Sequence, residues 1–136
     1  MPSLPDDAAL RELLAQTRTI AVVGLSPNPL RPSHGVAAYL QRAGYRVIPV
    51  NPACTEVLGE RCYASLRDIP EKVDIVDCFR RSEEILPLAR EAIAIGAKAL
   101  WMQLGVQHDE AAALARAAGL TVVCNRCLKI EHARLS

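Results

Sequence analysis

The sequence predicts an α/β fold, a doubly wound parallel sheet of about five strands in three α/β/α layers. Three observations predict it. Short apolar, β-branched runs alternate from one end of the chain to the other with stretches of helical period. Within the runs, successive residues are apolar rather than every second one, as in Ile20-Ala21-Val22-Val23, which is the pattern of a strand covered on both faces. The helical stretches stop on Gly44, Gly96 and Gly119, each just ahead of the next run, so strand and helix alternate as a parallel sheet with crossovers requires.

The elements follow in order. Asp6 is placed to cap a short first helix whose Leu10, Leu13 and Leu14 share a face. Residues 19–24 form the first strand, and Ser33 is expected to cap a second helix running to Gly44. Residues 45–50 form the second strand and 73–79 the third, with an irregular connection between them that holds Cys62 and Tyr63. A helix is expected over 82–95 although Pro87 falls in its early turns, then a fourth strand over 97–102, an alanine-rich helix over 108–118, and a fifth strand over 120–124. Five strands and their crossovers are expected to account for the chain, 1–136, as one domain without linker, repeat or low-complexity segment.

In such a sheet the chain winds outward one way and then the other, opening a crevice where the order reverses. That reversal is expected between the first and fourth strands. Parallel strands end on a common edge, so the residues after each one converge there: Ser26 and Arg31, Asn51, Arg80 and Arg81, Gln103, Asn125 and Arg126. Four arginines gather on this edge. The nearest acids are Asp77, inside its strand, and Asp109, at a solvent-facing helix start. An anionic ligand is the expectation.

Composition narrows the class. The chain has 136 residues, 51% of them hydrophobic, and a formal net charge of +1, which lacks the basic excess of a nucleic-acid binder. No apolar run approaches the roughly 18 residues of a membrane span. The opening Met1-Pro2-Ser3-Leu4-Pro5-Asp6-Asp7 has neither the basic region nor the apolar stretch of a secretory signal, so a cytoplasmic location is expected. The five cysteines are odd in number and lack a disulfide-scaffold spacing, as reduced thiols would.

Gly24-Leu25-Ser26 reads as a turn whose backbone N–H groups approach a phosphate at the mouth of the next helix, or as a plain strand-to-loop turn. It is not a dinucleotide fingerprint. The Gly-X-Gly-X-X-Gly spacing is absent, and the second strand ends in Val50-Asn51-Pro52 instead of the acid that holds ribose hydroxyls, so ordinary NAD binding is disfavoured. Arg31 lies among Pro27, Pro29 and Pro32, which restrict the loop that would aim its guanidinium. Ser33 and Gly35 stand at the helix entrance, the serine able to cap amides or to sit beside a phosphate. Phe79-Arg80-Arg81 sets paired charge and an apolar ring at the ligand edge, unless Phe79 is core and one arginine pairs with Glu83 or Glu84. Cys124-Asn125-Arg126-Cys127 has redox or zinc spacing, with His132 nearby, but follows the last strand and lacks further ligands at recognisable spacing, so coincidence is the simpler reading. Cys62 and Cys78 read as small core residues. His34, His108 and His132 have no evident nucleophile beside them, and only His34 lies near the phosphate turn. No catalytic or metal site is assigned, and a binding protein rather than an enzyme is expected.

The segments IAVVGLS (20–26), RPSHGVAAYL (31–40), GYRVIPVNP (44–52), DIVDCFRR (74–81), AIAIGAKALWMQLGV (92–106) and AAGLTVVCNRCLKIEH (117–132) together cover most of the chain. Through them it resembles the small stand-alone coenzyme A-binding proteins, similar to the Rossmann-type N-terminal domain of the succinyl-CoA synthetase alpha subunit. The resemblance implies a site for coenzyme A or an acyl-CoA. In it Gly24 and Ser26 meet phosphate, Arg31 and Ser33 add anion contacts, and Asn51 and Pro52 flank the nucleotide. Phe79 and Arg80 would lie along the adenine or pantetheine side, with Arg81 further out. Members often carry a tyrosine where His34 falls, and an acid where Cys124 or Asn125 falls. The synthetase's phosphohistidine belongs to another domain, so the resemblance implies binding and not ligase chemistry. The alternatives are a small NAD(P)-dependent enzyme, a Cys124/Cys127 thiol-redox enzyme, or a regulatory protein whose ligand alters docking to a protein partner or a second copy.

Overall fold

The computed structural model describes residues 4–136, so the leader reading rests partly on residues outside the described ones. Its axis is β1 (Thr19–Val23), buried along its whole length. The chain enters through α1 (Asp7–Gln16), where Asp6 caps as expected by accepting from the Ala9 amide at 2.8 Å. From β1 it passes through α2 (Pro32–Arg42) to β2 (Arg46–Val50), which pairs in parallel along one side of β1. Pro49 falls in β2, an edge strand, where a missing N–H is tolerated.

The connection expected to be irregular contains a small antiparallel hairpin, β3 (Glu56–Val57) and β4 (Glu60–Arg61), turning on Leu58 and Gly59, both at positive φ. It lies along β2 through Tyr63, whose amide donates to the Pro49 carbonyl and whose carbonyl accepts from Asn51. The chain then crosses to the free side of β1 as β5 (Ile75–Cys78), and proceeds through α3 (Ile85–Ala94), β6 (Ala99–Met102), α4 (Asp109–Ala117) and β7 (Thr121–Val123). The sheet order is β2-β1-β5-β6-β7, all parallel. The order therefore reverses between β1 and β5, the first and third strands of the main sheet, and not between its first and fourth. The third strand takes the vacant side of β1, which buries β5 on both faces.

A final helix, α5 (Leu128–Leu135), follows β7, so five strands and their crossovers do not account for the whole chain. Residue alternation along the strands divides the core into two layers. Ile20, Val22, Ile75 and Trp101 face α1, α2 and α5, packing with Leu10, Leu14, Leu40 and Leu128. Ala21, Val23, Val76 and Cys78 face α3 and α4, packing with Ala89, Ala92, Ala111 and Ala115. Trp101 is fully buried, and its indole N–H is satisfied by the Arg126 carbonyl at 2.8 Å. Among the described residues, no helix is long and apolar enough to cross a membrane.

Candidate functional site

The turn after β1 is stitched to both neighbouring strands: the Gly24 amide donates to the Val50 carbonyl at 2.8 Å, and the Phe79 amide donates to Val23 at 2.9 Å. Gly24 has φ +85°, and a Cβ there would lie 2.3 Å from the Phe79 carbonyl oxygen. Both the dihedral and the close approach require glycine. A network of short hydrogen bonds shapes the loop that follows. Ser33 Oγ accepts from the Ser26 amide, Ser26 Oγ from Asn28, and Asn28 Oδ1 from Leu30.

Ser33 does not cap α2. The cap residue is Arg31, with Pro32 in the first turn and no side chain bonded to the helix amides. Ser33 lies one residue further in, 5% exposed, and its hydroxyl holds the glycine turn against the helix. Pro32 has no N–H, while His34 and Gly35 donate to the Arg31 carbonyl. Among the described residues this leaves the Ser33 amide open in the first turn, where the helix dipole favours an anion. The Pro at the first helical position was a sequence signal for this start.

Gly24, Ser26, Arg31, Pro32, Ser33 and Phe79 line a cleft of about 330 Å³ at the β1–β5 reversal. Arg80 stands at its margin, its Nε 3.5 Å from where a Gly24 Cβ would sit, and lines the adjoining groove with Glu83 and Glu84. Among the described residues neither Arg31, Arg80 nor Arg81 pairs with a carboxylate, so the suggested Glu83 or Glu84 partner does not form. Arg126 leaves the cluster: it lies 3.8 Å from Glu131 of α5. Asp77 lies within β5, fully buried on the α2 and α5 side, with both oxygens unpartnered. Burial pushes its carboxyl well above the usual range, which disfavours its charged form beside the arginines.

Other expected site residues are spent on the protein itself. Asn51 donates to the Leu25 carbonyl at 3.0 Å and accepts from the Ala53 amide, so its side chain ties the β2 exit to the glycine turn. Gln103 is 4% exposed and caps α5 by accepting from the Leu128 amide. Pro52 and Arg81 are exposed and His34 is half-buried, all three outside the cleft lining. The two cysteines of the CxxC spacing face different layers: Cys124 packs with the α3/α4 core, its sulfur 3.7 Å from Met102 Sδ, and Cys127 with the α1/α2/α5 core. Burial raises the Cys124 thiol above its usual range, against the pull of Arg116. Among the described residues no three His, Cys, Asp or Glu side chains gather as a metal would need. Asp77 lies inside its strand as expected, whereas the positioning roles of Asn51 and Gln103 were missed from sequence, which carries no local signal for partners so distant along the chain.

Known proteins are similar to this chain in sequence and in fold. The CoA binding domain family profile matches residues 18–133. YneT of Bacillus subtilis is 42% identical over 129 residues, covering 95% of this chain and 96% of YneT. The solved structure of a hypothetical protein from Pyrococcus horikoshii OT3 superposes with a TM-score of 0.93 at 41% identity, covering 99% of each chain. The ADP-forming acetate–CoA ligase II of Archaeoglobus fulgidus is 33% identical over 75 residues, 54% of this chain but 10% of the ligase. With a profile match spanning nearly all of the sheet and its helices, the chain belongs to the CoA-binding domain family, and its fold is the Rossmann-like fold of that family.

Proposed function

We propose that the protein binds coenzyme A or an acyl-CoA in the cleft at the β1–β5 reversal. The observation that carries this reading is a cleft lined by the tight Gly24 turn and an uncapped helix start, with two guanidinium groups beside it that have no carboxylate partner among the described residues. Pyrophosphate fits against the open Ser33 amide, with Arg31 and Arg80 closing on it through charge-assisted hydrogen bonds. The ring of Phe79 supplies an apolar wall for the adenine or the pantetheine arm. Asn51 acts by holding the turn rather than by touching ligand, and Pro52, His34 and Arg81 are outer residues of the same rim. Bound coenzyme A supplies a thiol or thioester. The chain's own residues bind and orient its phosphates. The layer assignment of Cys124 and Cys127 gives the thiol-redox alternative no support.

Calorimetric and thermal-shift titration with CoA, acetyl-CoA, dephospho-CoA and NAD⁺ tests the reading. Ligand at a hundredfold excess over its Kd stabilises the folded state by about 2.7 kcal/mol, a shift of about 9 °C for a chain of this length. CoA or acetyl-CoA should give it and NAD⁺ should not. A flat CoA titration, or an equal response to NAD⁺, overturns the proposal.

A further inference from the structure

The β3–β4 hairpin brings together two cysteines that the cleft does not use. Glu56 pairs with Arg61 across the hairpin, and the Cys62 amide donates to the Thr55 carbonyl at 2.9 Å, extending the ladder by one position. Cys54 is the next residue, so it lies one position out of direct register with Cys62. A regular ladder would send Cys54 to the opposite face from Cys62, but the chain bends at Thr55 and the strict alternation ends before Cys54. Both thiols are free, both are half-buried, and both pack against the same core layer beside Val57 and Leu58. This distinguishes them from Cys124 and Cys127, which face opposite layers.

We propose that Cys54 and Cys62 are a modification site: a thiol pair that closes to an intramolecular disulfide on meeting a low-molecular-weight disulfide. The thiolate of one cysteine attacks a sulfur of the small disulfide, breaking its S–S bond and releasing one small thiolate. The second cysteine, its proton given up to water, attacks the protein sulfur of the mixed disulfide, forms the Cys54–Cys62 bond and expels the second thiolate. Both released thiolates take up protons, so two protein thiols are oxidised and one small disulfide is reduced to two thiols. Burial, with the neighbouring Cys54 and Glu56 charges, raises the Cys62 thiol, which favours Cys54 as the first attacker. The bond would act next to the β2 exit, because the Cys54 amide donates to the Asn51 carbonyl and Asn51 in turn holds the turn carbonyl of Leu25.

The test needs no coenzyme A and stands apart from the ligand proposal. The full chain is incubated with oxidised glutathione, remaining thiols are alkylated, and the protein is digested with trypsin without reductant. Cleavage after Arg46, Arg61 and Arg67 puts Cys54 in peptide 47–61 and Cys62 in peptide 62–67. The expected product is these two peptides joined, two hydrogens lighter than their sum, while Cys78, Cys124 and Cys127 are not linked to either. In C54S the joined species disappears. Recovery of the two wild-type peptides only as separate species, alkylated or each carrying glutathione, overturns the proposal.

Discussion

Gly24→Ala is the sharpest single test of the cleft's construction. The new methyl carbon would sit 2.3 Å from the Phe79 carbonyl oxygen, where ordinary contact begins at 3.4 Å, so one of the two must retreat by about 1 Å. Neither is free to do so, because Phe79 donates to Val23 and Gly24 donates to Val50, fixing both segments to the sheet. Alanine at φ +85° adds about 1–2 kcal/mol of backbone strain, and the forced displacement about 1–3 kcal/mol more. The sum, roughly 2–5 kcal/mol, corresponds to a fall in Tm of roughly 7–17 °C at this chain length. Urea unfolding followed by circular dichroism measures it. CoA binding should be lost as well, since the displaced segment carries Phe79 and Arg80. Gly35→Ala is the matched control: it is helical, no atom lies within 4 Å of the added Cβ, and alanine should stabilise it by about 0.5–1 kcal/mol. A Gly24→Ala protein within about 0.5 kcal/mol of wild type that still binds CoA would refute the reasoning.

Arg80→Ala should weaken CoA binding by about 1–3 kcal/mol, the worth of a charge-assisted hydrogen bond, with an unchanged urea midpoint; calorimetry showing undiminished affinity would remove Arg80 from the site. Asp74 accepts from the Arg18 and Thr19 amides at 2.9 and 3.1 Å and lies 3.5 Å from Lys98 Nζ; burial pushes its carboxyl up, but these partners together bring it below the usual range. Its contribution is therefore complete above the unfolded value of about 3.9 and is lost as pH falls through the folded one, so Asp74→Asn should cost about 1–3 kcal/mol at neutral pH and flatten the acid limb of the stability curve. Asp77 has the opposite sign: with its folded pKa raised by burial, wild type should lose about 1.4 kcal/mol per pH unit relative to Asp77→Asn above about pH 4, until the folded carboxyl ionises. Parallel stability profiles for the two proteins in urea titrations from about pH 5 to pH 8 would contradict that assignment.

The five strands of the main sheet were legible because each is a largely apolar run buried along most of its length, and the helices because Asp6, Gly44, Gly96 and Gly119 punctuate them locally. Strand order was not. The chain between β2 and β5 contains no α-helix, only a single 3-10 turn at Leu66–Asp68, and nothing in its composition says whether it stays beyond β2 or crosses β1. The hairpin inside it turns on Leu58 and Gly59, and a leucine at φ +54° is not a residue that turn chemistry nominates. Helix α5 was missed for a related reason. Its buried stripe is thin, Leu128, Glu131 and Leu135, and its first amide is satisfied by Gln103, 25 residues away.

The same distinction between local and distant partners governs the site. That Gly24, Ser26, Arg31 and Ser33 would line one cleft was legible because they lie within ten residues of one another in the loop after β1, whereas Asn51, Gln103 and Arg126 stand on the same edge yet have side chains occupied by Leu25, Leu128 and Glu131. Arg31 and Arg80 beside the cleft pair with no carboxylate among the described residues, and burial raises the carboxyl of Asp77, the acid embedded in the adjoining strand, away from its charged form. This bears on ligand choice. NAD⁺ is held through a carboxylate at the end of β2 that meets its ribose hydroxyls, and the residue there is an asparagine already bonded to the turn. On the proposed reading, coenzyme A makes no such demand and brings a 3′-phosphate in addition to its pyrophosphate, so an edge that lacks the acid, with Arg31 and Arg80 free of carboxylate partners among the described residues, suits it better than NAD⁺ through the groups it has and the group it lacks.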